Sequence, residues 1–205
     1  MQVLVTGFEP FGDCQANPSE QVARALSGER VNDLEIVTAV LPVERLRGPE
    51  RLLEAVRLYR PSAVLCLGLA AGRVSFGIER VAVNLLDFRI PDNAGEQAVD
   101  QPVVPGGPAA YFATLPVRAI HQAVRAAGVA ADLSMSAGTY LCNQVMYTLL
   151  HYAAQEGLDL PGGFIHLPAL PEHAALASGP MASMSLETMV RGTRAAVAAL
   201  GSEAA

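Results

Sequence analysis

The apolar positions of this chain fall into two rhythms. Continuous apolar runs mark strands at Gln2–Thr6 (QVLVT), Leu34–Leu41, Ala63–Gly68 (AVLCLG), Ala131–Ser136 and Gly162–Pro168. No polar residue interrupts Ala63–Gly68, which predicts a central strand buried on both faces. Recurrence at three and four residues predicts helices between the strands. Asn17-Pro18-Ser19-Glu20 opens the first, with Asn17 at the N-cap, Pro18 at N1 and Glu20 at N3. Pro49 opens a second, which carries Leu52, Leu53, Val56 and Tyr59 on one face and stops at Pro61. Val117–Ala127 is a third, with His121 on its surface, and Ser185–Leu200 a last one, closed by Gly201. Phe76–Phe88 follows period two, with Glu79, Val81, Val83 and Leu85 pointing one way. Strands and helices alternate without a repeat or linker. The pattern predicts one α/β domain over residues 1–205, a three-layer sandwich around a largely parallel sheet.

Ser136–Tyr152 (SAGTYLCNQVMYTLLHY) departs from this pattern at its start. Four small or turn-forming residues precede a helical stripe of Val145, Met146, Leu149, Leu150 and Ala153, so Cys142 falls in or just before a first helical turn. Unpaired backbone N–H groups and the positive end of the helix dipole favour a thiolate there and lower the thiol pKa. The plainer alternative is a small buried hydrophobe. Two other residues ask for partners. Glu79 stands on an apolar strand face, where a lone carboxylate is costly. His166 ends a short strand beside Phe164 and Ile165, as a base or as a structural histidine. A thiol nucleophile, an imidazole base and a carboxylate to orient it make a complete set. Spacing alone leaves open whether the three meet.

The loops add chemistry at strand ends, where open α/β sheets bind ligands. Gly7–Asp13 carries Phe8 and Phe11 and lacks both GxGxxG and Gly-Lys-Ser/Thr. It suits a flat uncharged ligand or serves as a hydrophobic plug. Gly68–Arg73 is a second small-residue loop, and Arg89–Pro108 is long enough to cover a site or a subunit contact. Of the other cysteines, Cys66 reads as inert packing within its strand, and Cys14 is a runner-up thiol near the phenylalanines.

Composition narrows the classes. A net charge of −6 and an isoelectric point near 5.2 argue against nucleic acid and anionic membranes as partners. There is no 18-residue uncharged apolar run and no basic leader. Three scattered cysteines make neither a disulfide framework nor a zinc site, so a cytoplasmic, reduced protein without a metal or cofactor is expected. A hydrophobic fraction of 51% with mean hydropathy +0.30 points to apolar surface buried between subunits.

Seven motifs occur in order: TGFEPFG, GIERVAVN, RIPDNAGEQ, GGPAAYFATLP, SAGTYLCNQVMYTLLHY, FIHLPALPEH and SMSLETMVRG. Together they resemble the pyroglutamyl peptidase I (pyrrolidone carboxyl peptidase) family of cysteine peptidases, from the first residues to about position 200. The resemblance implies a largely parallel, mixed sheet of the nucleoside phosphorylase type. It also implies removal of N-terminal pyroglutamate from peptides through a thioester, with no cofactor, in a homodimer or homotetramer. Glu79 matches the family's E-R-V-A-x-N, Cys142 its A-G-T-x-x-C-N and His166 its F-I-H-x-P, the catalytic triad. Arg89, before I-P-D-N, matches an oxyanion support. Phe8 and Phe11 would sandwich the lactam ring, with Asn17, Ile90, Tyr140 and Leu141 as neighbouring walls. The chain departs from the family's L-G-Q-A-G-G-R in having Leu69 for glutamine and Ala71 for glycine, and from its paired glycines at Gly12-Asp13. Leu69 is therefore a substrate-side residue whose contact differs. Two rivals remain, a nucleoside phosphorylase without an evident phosphate loop and a catalytically silent binding relative.

Overall fold

In a computed structural model the described residues are 1–12 and 15–201, so Asp13 and Cys14 lie outside them. The elements in order are β1 (Gln2–Phe8), α1 (Pro18–Leu26), β2 (Arg30–Val31), β3 (Leu34–Leu41), α2 (Arg47–Tyr59), β4 (Ala63–Leu69), β5 (Phe76–Glu79) and β6 (Val81–Val83). There follow β7 (Ala110–Phe112), α3 (Val117–Ala126), β8 (Ala131–Ser134), α4 (Leu141–Gln155), β9 (Gly162–Leu167), α5 (Pro171–Leu176) and α6 (Leu186–Leu200). Seven strands form one sheet in the order β2-β3-β1-β4-β9-β5-β8. It is mixed: β3, β1, β4 and β9 run parallel, while β5 opposes β9 and is parallel to β8.

Strand alternation sorts the core into two halves. Val3, Val5, Leu65, Leu67, Ile165 and Leu167 face one way and pack with residues of α1, α3 and α6. Leu4, Val64, Cys66 and Phe164 face the other way, towards α2 and α4. A sheet between two helical layers is the expected three-layer α/β sandwich. Where the chain departs from the sequence pattern, the backbone explains it. The period-two stretch from Phe76 breaks at Arg80, whose N–H donates to Ser134 O while its carbonyl accepts from Ala113 N. At that residue the chain leaves β8 and begins a small hairpin of β6 with β7. α2 begins at Arg47, before Pro49.

Local chemistry fixes the pieces that frame the cleft. The Asn17 side chain caps α1 by accepting from Ser19 N, as the Asn-Pro-Ser-Glu pattern predicts. The long 89–108 segment is tied down at several points. Asp92 accepts from the N–H groups of Ala94, Glu96 and Arg45, and Asn93 donates to Glu9 and to Pro10 O in the first loop. Asn84 holds the far end through Val104 and Gly107. The excursion thereby lies against the phenylalanine loop.

Candidate active site

His166 is buried on β9 and faces the α4 side of the sheet, two residues from Phe164. Both neighbouring strands place a glycine opposite it in register, Gly68 on β4 and Gly77 on β5. Each glycine makes room for a functional group. A Cβ on Gly68 would lie 2.9 Å from Cys142 Sγ and 2.7 Å from the Phe164 ring. The sulfur therefore sits over Gly68, the residue of β4 paired in register with His166. A Cβ on Gly77 would collide with the Arg73 guanidinium.

Glu79, two residues beyond Gly77, is fully buried. Its Oε1 is 2.8 Å from His166 Nδ1 and 3.1 Å from Arg73 Nη2. A carboxylate only accepts, so the imidazole proton lies on Nδ1 and Nε2 is left as the ring's acceptor. Arg73 Nη2 also donates to Ser134 Oγ at 3.1 Å and to Ser136 O at 3.4 Å. Glu79 is thus the paired carboxylate that its apolar strand face required.

Cys142 is the second residue of α4 and half-buried. The N-cap Tyr140 makes no side-chain capping bond, so no side chain at that position competes for the first-turn N–H groups. Asn143 anchors this helix start, accepting from Val83 N and donating to the carbonyls of Val83 and Leu85. The thiol is pushed up to about 12, first by burial, then by the Glu79 charge and by Cys66, against a lowering backbone N–H. The sulfur's open side towards the cleft relieves part of the burial cost, while the direction stands. The expectation of a thiol lowered by the helix start is reversed in the free protein.

Two cavities meet at Cys142. A narrow one of about 40 Å³ is lined by Phe8, Phe11, Asn17, Val43, Leu69, Tyr140, Leu141 and Cys142, with no charged side chain among the described residues. A wider cleft of about 750 Å³ shares Phe11, Leu69, Tyr140 and Cys142 with it, and adds Arg73, Asp87, Arg89, Ile90 and His166. Tyr140 donates to Pro91 O and packs edge-on against Phe88 at 4.6 Å. Its phenol is pushed up to about 12 by burial, the Asp92 charge and Cys142, so it stays neutral. Among the described residues no cluster of metal-ligating side chains exists, and no helix is long and apolar enough to cross a membrane.

The sequence profile described as pyroglutamyl peptidase matches residues 1–203. The pyrrolidone-carboxylate peptidase of Cupriavidus necator is 50% identical over 197 residues, 96% of this chain and 91% of that one. That of Coprothermobacter proteolyticus is 45% identical over 196 residues, covering 96% and 95%. Among solved structures, a variant of the pyrrolidone carboxyl peptidase of Pyrococcus furiosus superimposes with a TM-score of 0.96 at 40% identity over 100% of both chains. Pyroglutamyl peptidase I of Bacillus amyloliquefaciens gives 0.94 at 36% identity, covering 97% and 96%. The chain belongs to the pyroglutamyl peptidase family.

Within that family the sequence-derived candidates sort by position. Glu79, His166 and Cys142 converge at one end of the sheet, with the first two hydrogen-bonded. No hydrogen bond joins Cys142 to His166 among the described residues, and such contacts often tighten only around substrate. Phe8, Phe11, Asn17, Leu69, Tyr140 and Leu141 share the narrow cavity. Arg89 and Ile90 instead line the wider cleft, both exposed. Asn17 is largely committed, with its oxygen accepting from Ser19 and its Nδ2 donating to Glu9 O. Sequence reasoning passed over Val43 and Arg73. Nothing in the pattern marks Val43. For Arg73, a lone cation in a small-residue loop near a buried carboxylate was the available signal.

Proposed function

We propose that this enzyme hydrolyses the bond after an N-terminal pyroglutamate, with Cys142 as nucleophile, His166 as base and then acid, and Glu79 as the group that orients the imidazole. The observation that carries the proposal is the Glu79–His166 bond beside the Cys142 sulfur, at the mouth of a narrow cavity whose described lining carries no charge. Cys142 rests as a thiol, so its proton passes to His166 Nε2 as sulfur attacks the pyroglutamyl carbonyl. The oxyanion forms beside the first turn of α4, where the Cys142 N–H can donate and Arg89 from the cleft wall adds positive charge. The imidazolium, held by Glu79, protonates the leaving amine as the C–N bond breaks. Neutral again, it then takes a proton from the water that cleaves the thioester and frees the thiol.

Selection for pyroglutamate follows from the narrow cavity. Its lactam has no charged α-amine, and among the described residues no carboxylate lines the wall to pair with one. Burying an ammonium there without a partner is costly. The leaving peptide has the wider cleft, whose exposed rim suits varied side chains. Release of a fluorophore from pyroglutamyl, prolyl, glutamyl and leucyl amides tests this selection. Only the first should be cleaved well, and faster cleavage of a prolyl or leucyl amide would contradict the assignment of the cavity. A reducing, cytoplasmic setting suits the free thiol. The high apolar fraction and exposed Leu58, Val99 and Phe112 support a homodimer or homotetramer.

A further inference from the structure

We propose that Arg73 is a positioning residue for the reaction, its guanidinium fixing the Glu79 carboxylate against His166, and that Gly77 is the gap in β5 that admits it. The inference rests on the assignment of Cys142, His166 and Glu79 above and extends it to the group that holds the carboxylate. Glu79 is fully buried, and its Oε2 has no hydrogen-bond partner. All of its binding runs through Oε1, which His166 Nδ1 and Arg73 Nη2 share. One bond to an imidazole leaves a carboxylate free to rotate about its last torsion. A second bond from a different direction removes that freedom and supplies the positive charge a buried anion needs.

The guanidinium is in turn set by two points on the far side, Ser134 Oγ on β8 and Ser136 O beyond it. Arg73 therefore spans from the loop after β4, across β5, to the end of β8. It can do so only because Gly77 has no side chain. The backbone at Gly77 lies outside the left-handed region, so conformation does not demand glycine there. What demands it is space, since a Cβ would strike Arg73 Nη1 and come within 2.8 Å of Cζ. Among the charged or titratable groups around the pair, Arg73 bonds Glu79, Cys142 from α4 feels its charge, and Asp87 and Arg89 line the same cleft as His166. From β8 come the Ser134 hydroxyl, which Arg73 bonds, and Asp132, in register with Gly77 and accepting from Ser75 Oγ.

Steady-state kinetics on a pyroglutamyl amide across pH separate positioning from bulk stability. Arg73→Met should lower kcat by ~10- to 100-fold, the scale of a displaced catalytic group, with KM within about threefold. The acid limb of kcat/KM should move to higher pH, because a cation opposing proton uptake by the pair is gone. Arg73→Lys keeps the charge and should keep the pH profile. It should recover kcat only in part, since the Lys Nζ reaches less far than Arg73 Nη2, the one nitrogen that bonds Glu79, Ser134 and Ser136. Gly77→Ala should mimic Arg73→Met, and adding it to Arg73→Met should cost little more. Folding is monitored by circular dichroism, and the pH profile of Cys142 alkylation reads the site without turnover. An Arg73→Met protein with native kcat and an unshifted acid limb overturns the proposal. A native enzyme that fails to cleave the pyroglutamyl amide at all sinks the triad assignment instead, so the two failures are told apart.

Discussion

Cys142 sits under opposed electrostatic influences, and their sizes decide its resting state. A helix start favours an anion by ~0.3–1 kcal/mol, less than one pKa unit at about 1.4 kcal/mol per unit. Burial and the nearby Glu79 carboxylate work the other way and win, leaving the thiol near 12. In the proposed mechanism the thiolate is made during attack, with His166 as the base. Cys142→Ser should keep the fold and lose turnover by at least about 10³-fold, because an alcohol is harder still to ionise. Cys66→Ser should remain active, and near-native rates for Cys142→Ser would refute the nucleophile. Glu79→Gln keeps the size of the side chain and removes its charge, and should cost on the order of 10²-fold in kcat with less effect on KM. A change in melting temperature alone would make Glu79 a structural partner only. Leu69 stands where the family pattern has a glutamine, on the wall shared by both cavities. Restoring one hydrogen bond by Leu69→Gln is worth about 0.5–1.5 kcal/mol, so KM should fall by tenfold at most while kcat stays nearly constant.

At the scale of elements, the site depends on β4, β9 and β5 presenting Gly68, His166 and Gly77 side by side. Gly68→Ala should cut activity well beyond its effect on stability, since the new methyl meets the Cys142 sulfur and the Phe164 ring. Retained kcat in a folded Gly68→Ala protein would remove this close approach from the mechanism. Most elements were legible because burial imposes a period on them: β4 as an unbroken apolar run, α4 as a stripe from Val145 to Ala153. The Arg80 break was not, because it depends on Ser134 and Ala113, both more than 30 residues away. Glu79 revealed its need of a partner through its apolar neighbours. Arg73 gave only the weaker sign of a lone cation in a small-residue loop, since its turn back towards Glu79 depends on the empty place at Gly77. Tertiary proximity of this kind leaves no periodic trace.

At the scale of the whole molecule, the buried thiols tie stability to pH. Cys66 lies wholly inside the sheet, and its thiol is pushed from 9.0 to about 12 by burial. Above about pH 9 the unfolded chain releases this proton while the folded one keeps it, so the native state binds more protons there. Stability is thus complete below that pH and falls as pH rises towards 12, by up to about 1.4 kcal/mol per pH unit for a fully buried thiol. Cys142, open to the cleft, adds a smaller contribution of the same sign. Urea unfolding midpoints between pH 8 and 11 should decline, and Cys66→Ala should flatten that decline; equal slopes would contradict it. Light scattering should report a mass well above the 21.5 kDa monomer at micromolar concentration if the exposed apolar residues mark subunit contacts. Catalysis itself is tested most directly by trapping its intermediate. Rapid acid quench of the enzyme mixed with excess pyroglutamyl amide, followed by peptide mass spectrometry, should find one pyroglutamyl group on the peptide bearing Cys142, removable by hydroxylamine as a thioester is. Turnover without any acyl group on Cys142, or with the group on another residue, would contradict the mechanism.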